Sequence, residues 1–380
     1  MPTKIIRTST IPQSLNTFCK GLLKELQEDE GYKVVAVSSP GGDLEAVGER
    51  EGVVTYAVPM ERQISPLKDL KSLWGLIKVF RKEKPDMVHS ITPKAGLLSM
   101  MAAWICRVPV RVHMFTGLVF PTSIGIKQKI LIMTDRLTCA CATHILPEGE
   151  GVKKDLVSYN ITKKKLKVLG YGNIRGIDLE WFNPDLPKLQ EEATKIRQKD
   201  IFTFIFIGRL VRDKGINELI EAFEKLNEQY PDIRLLLIGD YEQKRGPLTP
   251  KCLQSIKNNP NICEAGWQSD IRPWLLASDC FVFPSYREGF PNVVIEAGAM
   301  ALPSIVTDIN GSREIIIDGK NGIIIPSKNT DALYEAMKRF LTEPTLAKDL
   351  AKDARTLVSQ RYEQGYVRQC LKEYYREILN

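Results

Sequence analysis

The 380-residue chain lacks most of the signatures that announce nucleotide or metal chemistry. Three histidines are too few and too scattered for a histidine metal centre. No Gly-x-Gly-x-x-Gly and no Gly-x-x-x-x-Gly-Lys-[Ser/Thr] occurs, which disfavours hydride transfer on a dinucleotide fold and P-loop hydrolysis. There is no Asp-x-Asp pair to hold a metal-bound diphosphate. The eight cysteines (Cys19, Cys106, Cys139, Cys141, Cys252, Cys263, Cys280 and Cys370) include no Cys-x-x-Cys, and several lie in apolar runs such as "SDCFVF". They read as buried free thiols of a reducing compartment. The longest apolar window, Leu97 to Cys106, is about half the length that spans a bilayer. The opening "MPTKIIRTSTIPQSL" has no apolar signal-peptide core. Cytoplasmic location is therefore the default, and any membrane contact would be peripheral.

What is present describes a folded, two-domain protein. Hydrophobic residues make up 43% and charged residues 26%, with no low-complexity tract or repeat. The length exceeds one ordinary core. Residues 1–180 carry 26 Lys and Arg against 18 Asp and Glu, whereas the remainder carries 27 against 28. A basic first half attracts nucleic acid, anionic lipid or phosphorylated substrates, or is simply a solvated surface.

Short β-branched runs alternate with amphipathic helical segments. "KIIRTS" precedes one helical stretch, "SLNTFCKGLLKELQE", and then come "YKVVAVSS", "LKDLKSLWGLIKVFRKEK", "PDMVHSI", "KAGLLSMMAAWICR" and "VPVRVHMF". Such alternation specifies a parallel sheet covered by helices on both faces. Gly, Asn and Pro then break the pattern, and the polar "LQEEATKIRQKD" follows, so a linker is expected over 176–200 between domains at 1–175 and 201–360. A second alternation runs from "IFTFIFIGRL" to a helix over Asp331 to Leu341, and the helical segment 361–380 could cross back to the first domain. Two such domains should face each other across a cleft.

Three short stretches carry candidate chemistry. In "FIGRLVRDKGINELIEAF" a strand ends at Gly208, and Arg209 and Lys214 lie on the turn into a helix. Two cations there can neutralise a diphosphate without metal, or be ordinary surface charges. "PSYREGFPNVVIEAGAMALPSIVTD" sets Glu288 and Glu296 around the start of a helix, whose first N–H groups attract anions. Carboxylates there could decorate the helix dipole, bind hydroxyls or act as acid and base. "TPKAG", Thr92 to Gly96, opens another helix with Lys94 as its cation, a second candidate anion site.

Together with "GWQSDI" from Gly266 and "NGIIIPSKNTDAL" from Asn321, these blocks resemble the retaining glycosyltransferases of family 4, which have the GT-B fold of two Rossmann-like domains. The match covers about residues 200–340. The first half, through "STIPQSLNTFCKG", "HSITPKAGLLS" and "RVHMFTGLVF", is similar to the branch that builds capsular, O-antigen and related surface glycans. The resemblance implies that Arg209 and Lys214 hold the departing diphosphate, Glu288 meets the donor sugar and Glu296 the ribose hydroxyls. It also implies donor contacts from Gly208 and from the backbone of Gly289, Phe290, Asn292 and Val293, with Trp267 and Gln268 near the base. Lys94 is assigned to an acceptor phosphate. The chain departs from the family in two places. Gln13 and Ser14 follow Pro12 where relatives have a glycine-rich loop, and Thr116 stands where relatives commonly have His or Arg, with His113 nearby on the opposite strand face.

The expected activity is transfer of a hexose or N-acetylhexosamine from a nucleotide-sugar donor, UDP-linked by the branch resemblance, to a polyprenyl-diphosphate-linked glycan, with no metal or other cofactor. The rivals are a nucleotide-sugar 2-epimerase of the same fold and a basic nucleic-acid-binding or membrane-binding module without turnover.

Overall fold

The computed structural model describes residues 2–63, 65–242 and 246–379. The chain divides into two compact units, Met1–Gly176 with Gly365–Asn380, and Ile177–Gln364.

The first unit runs β1 (Lys4–Thr8), α1 (Pro12–Phe18), α2 (Leu22–Glu28), β2 (Lys33–Ser38), α3 (Gly42–Glu51), β3 (Val54–Ala57), α4 (Pro66–Glu83), β4 (Met87–Ile91), α5 (Pro93–Ile105), β5 (Val110–Phe115), α6 (Gly125–Cys141), β6 (His144–Pro147) and α7 (Glu150–Ser158). Its sheet is parallel in the order β3-β2-β1-β4-β5-β6. The second unit holds α8 (Pro187–Ile196), β7 (Phe202–Ile207), α9 (Ile216–Asn227), β8 (Ile233–Ile238), α10 (Pro250–Asn258), β9 (Ile262–Gly266), α11 (Arg272–Leu276), β10 (Cys280–Phe283), α12 (Asn292–Ala299), β11 (Ser304–Thr307), α13 (Ser312–Ile315), β12 (Gly322–Ile325), α14 (Thr330–Thr342) and α15 (Leu346–Tyr362). Its parallel sheet runs β12-β11-β10-β7-β8-β9, the same winding repeated. The last helix, α16 (Gln364–Leu379), contributes Leu371, Tyr374 and Tyr375 to the core of the first unit.

Central strands such as "IRLLLI" and "CFVF" are buried on both faces, so they read as unbroken apolar runs rather than alternating ones. In each sheet the strand order reverses once, between β1 and β4 and between β7 and β10, where the following loops diverge and leave room for a ligand.

Three local expectations change. The helical stretch 14–28 breaks into α1 and α2, because Gly21 takes φ +76° and starts a new helix after Cys19. The polar segment expected to be linker carries α8, which buries only Leu189 and Ala193 and therefore looks solvated in sequence. Between β5 and that segment the chain also holds α6, β6 and α7. The cysteines are free, as expected, but Cys263 on the edge strand β9 is exposed.

One buried polar cluster anchors α16. The Arg7 guanidinium, fully buried on β1, donates to the Tyr375 hydroxyl (2.5 Å) and the His89 Nδ1 (2.7 Å) and reaches the Cys19 sulfur (3.7 Å). Burial pushes the Tyr375 hydroxyl up to about 12 although Arg7 pulls it down. Tyr375→Phe should therefore cost about 1–3 kcal/mol, measured by urea unfolding, because a buried cation loses an acceptor.

On α6, burial alone raises the Asp135 carboxyl from 3.8 to about 7. Between those values the folded state holds a proton that the unfolded chain releases, so stability falls as pH rises from about 4 to 7. Asp135→Asn should remove that slope and exceed wild type in stability above pH 7. Parallel wild-type and variant stability profiles would contradict this.

Candidate active site

The reversal between β7 and β10 brings two loops of the second unit into one structure. Gly215, at φ +74°, ends the β7–α9 loop so close to the β10–α12 loop that an added Cβ would lie 2.1 Å from the Pro284 carbonyl oxygen. The Tyr286 N–H donates to the Asp213 carbonyl (2.9 Å), Arg287 approaches the Asp213 carboxylate (3.6 Å), and the Tyr286 hydroxyl donates to Glu218 (2.6 Å). Gly311, at φ +74°, supports the second loop from behind, where a Cβ would meet the Gly289 carbonyl and Pro291 at 2.6 Å. Next door, Gly239 lets β8 close on the Gly208 carbonyl, 2.0 Å from where its Cβ would sit.

Across the joined loops Lys214 forms an ion pair with Glu288, both side chains less than one-fifth exposed. The Lys214 ammonium also stands 4.8 Å from the centre of the Phe283 ring. The Ser285 hydroxyl, on a fully buried residue, donates to the same Glu288 oxygen at 2.7 Å, and Thr307 from β11 donates to the Ser285 carbonyl. Arg209 leaves the end of β7, half-exposed, and pairs with Glu242 at 2.5 Å. Glu296 lies one turn into α12, whose N-terminus has no side-chain cap. Chemically, this is a place where two cations and uncapped N–H groups can meet an anion while carboxylates meet hydroxyls.

Gly208, Arg209, Lys214, Glu288, Gly289, Phe290, Asn292, Val293 and Glu296 thus share the two loops and the helix that follows. The Phe290 ring packs edge-on against Tyr362 in the core, so its backbone is what remains for a ligand. Trp267 and Gln268 follow β9, two strands and about 10 Å from β7. Trp267 is 68% exposed, and Gln268 donates to the Ala265 carbonyl at 2.6 Å.

In the first unit, the loops at the β1/β4 reversal are joined by Thr10 and Thr92. Their hydroxyls lie 2.8 Å apart, and the Thr10 oxygen accepts from the Ala95 N–H at 3.0 Å. Thr92 is held at φ +72°, a strained conformation for threonine. Gln13 and Ser14 occupy the first turn of α1, and Thr116 follows β5, partly exposed. Lys94 is not a solvated cation but pairs with Asp69 at 2.5 Å. His113 is a packed structural side chain. It bonds to Ser90 Oγ at 2.9 Å, lies edge-on to Phe115, and fills the space where a Cβ on Gly96 would fall 2.2 Å away. Burial pushes its imidazole down to about 3.

Two doubly wound parallel sheets, each with loops diverging at a matching strand-order reversal, are the architecture of the GT-B fold. A model described as "Glycosyl transferases group 1" matches residues 189–357, and one described as "Glycosyl transferase 4-like domain" matches residues 15–172. The capsular polysaccharide biosynthesis glycosyltransferase CapM of Staphylococcus aureus is 32% identical over 99% of this chain and 97% of its own. The Escherichia coli UDP-Gal:alpha-D-GlcNAc-diphosphoundecaprenol alpha-1,3-galactosyltransferase is 29% identical over 88% of this chain and 86% of its own. Among solved structures, Anabaena Alr3699/HepE in complex with UDP superposes with a TM-score of 0.80 at 17% identity, covering 99% of this chain and 100% of that one. The chain belongs to the group 1, family 4-like glycosyltransferases of the GT-B fold.

Sequence reasoning missed Ser285, whose only signal was its place three residues before Glu288, and Gly311, which is remote in sequence. Ser285→Ala should lower kcat/KM by about tenfold or more, since it removes a hydrogen bond to a charged group. In a Glu288→Ala background the same change should add almost nothing. Additive losses in nucleotide release would show that Ser285 acts on packing instead of through Glu288.

Proposed function

We propose that the protein transfers a sugar from a UDP-sugar to a polyprenyl-diphosphate-linked glycan, with retention of anomeric configuration and without metal. The observation that carries this reading is the Lys214–Glu288 pair across the joined loops, with Arg209 at the mouth of the same strand. The diphosphate takes Lys214 and Arg209 as its counter-charges, in the role a metal ion fills elsewhere. Glu288, freed from Lys214 and still held by Ser285, accepts hydrogen bonds from the donor sugar's hydroxyls, and Glu296 accepts them from the ribose. Trp267 and Gln268 stand at a distance suited to the base.

The acceptor hydroxyl attacks the anomeric carbon on the face that the diphosphate leaves. The new C–O bond forms as the old one breaks, and the acceptor proton passes to a donor phosphate oxygen. The E. coli relative, whose name specifies UDP-Gal and a diphosphoundecaprenol acceptor, supports the choice of donor and acceptor classes. CapM and that relative support a role in surface polysaccharide synthesis. Such an acceptor sets the reaction at the inner face of a membrane.

Replacing Arg209, Lys214 or Glu288 with Ala should each lower turnover by about a hundredfold or more while leaving the unfolding midpoint nearly unchanged. The measurement is nucleotide release and product analysis with a panel of nucleotide sugars. Wild-type turnover in all three variants would remove the site assignment. A changed sugar on an intact nucleotide would indicate an epimerase instead.

A further inference from the structure

The first unit has an apolar outer surface that its core does not use. Among the described residues, twenty large hydrophobic side chains are exposed, and fifteen of them belong to this unit. They concentrate on α4 and α6, which flank α5 in one helical layer.

On α6, Ile126, Ile130, Met133 and Leu137 recur at intervals of four, three and four residues, within about 60° of one another around the helix. Ile126 is 78% and Met133 67% exposed. Exposed Lys127 lies to one side of this stripe and Lys129 and Arg136 to the other, while Asp135 lies opposite it. α4 repeats the design with Leu67, Leu70 and Trp74 outward beside Lys71 and Lys78. The core takes mainly Ser72, Leu76 and Phe80 from α4 and Thr138 and Cys139 from α6, which lie away from the stripes, with Ile77 and Cys141 at the stripe edges.

We propose that the outer face of α4 and α6 is a seat for an anionic lipid bilayer. The α6 stripe enters the acyl boundary, and the flanking lysines reach up to the headgroups, as expected of a helix lying in a membrane surface. The occupant follows from charge complementarity, since apolar stripes rimmed by cations match an anionic interface. Among the described residues no helix is long and apolar enough to cross a membrane, so such contact is peripheral. The surface differs from the basic segment 153–167, where Lys164 caps the carbonyls that end α6 and Lys167 pairs with Glu377. Lys164 instead fixes α6 in place.

This inference rests on the proposed lipid-linked acceptor only for its purpose, and its test is separate. The full chain is floated with vesicles of phosphatidylglycerol and, in parallel, of phosphatidylcholine. Wild type should float with the first and hardly with the second. Ile130→Ser/Met133→Ser and Lys127→Glu/Lys129→Glu should each weaken partitioning about tenfold, with added salt weakening wild type as well. Both double variants should keep the wild-type melting temperature and the slow, lipid-free hydrolysis of a UDP-sugar. Failure of wild type to bind phosphatidylglycerol vesicles, or equal binding by both variants, would overturn the proposal. So would a wild-type dimer in light scattering that Ile130→Ser/Met133→Ser dissociates without change in flotation, since the face would then belong to a second copy. Loss of UDP-sugar hydrolysis in wild type itself would fail the proposed function and leave the bilayer result standing.

Discussion

The Lys214–Glu288 ion pair is the interaction on which the donor-site account depends. It joins two loops that are 74 residues apart in sequence and that the winding of the sheet separates in direction. A largely buried pair of this kind is a weak source of stability, because removing two charges from water consumes most of their attraction. Its value lies in being exchangeable. In the proposed reaction a bound diphosphate would offer Lys214 a stronger partner, and donor hydroxyls would offer Glu288 an alternative to the ammonium.

That exchange requires a rigid frame. Gly215 against Pro284, Gly239 against Gly208 and Gly311 against Gly289 are contacts of backbone on backbone, at positive φ, that a side chain could not occupy. Ser285 then fixes one Glu288 oxygen so that only the Lys214 contact needs to change. The first unit uses the same winding differently. Its reversal is closed by Thr10 and Thr92 rather than by an ion pair, and the buried Arg7 holds α16.

Much of this was legible in the sequence because central parallel strands are apolar on both faces and so stand out as runs. Arg209, Lys214 and Glu288 stood out as candidates through the blocks that resemble the family, and the fold brings Lys214 and Glu288 together in one ion pair. α6 and α8 were not legible, since α6 carries apolar residues outward and α8 buries only two side chains, which blurs the helical period. His113 shows the limit at a single residue. Strand alternation set it opposite Thr116, but only the packing under Gly96 reveals that its ring fills core space. Lys94 pairs with Asp69 of α4, a neighbour that sequence alone could not bring to it.

The most direct test of partner exchange is calorimetric titration of UDP into wild type, Lys214→Ala and Glu288→Gln. If the diphosphate takes Lys214 from Glu288, Lys214→Ala should weaken UDP binding by about tenfold or more, whereas Glu288→Gln, which releases the ammonium in advance, should bind UDP at least as tightly as wild type. Equal affinity in all three proteins, or a loss in Glu288→Gln as large as that in Lys214→Ala, would contradict the account.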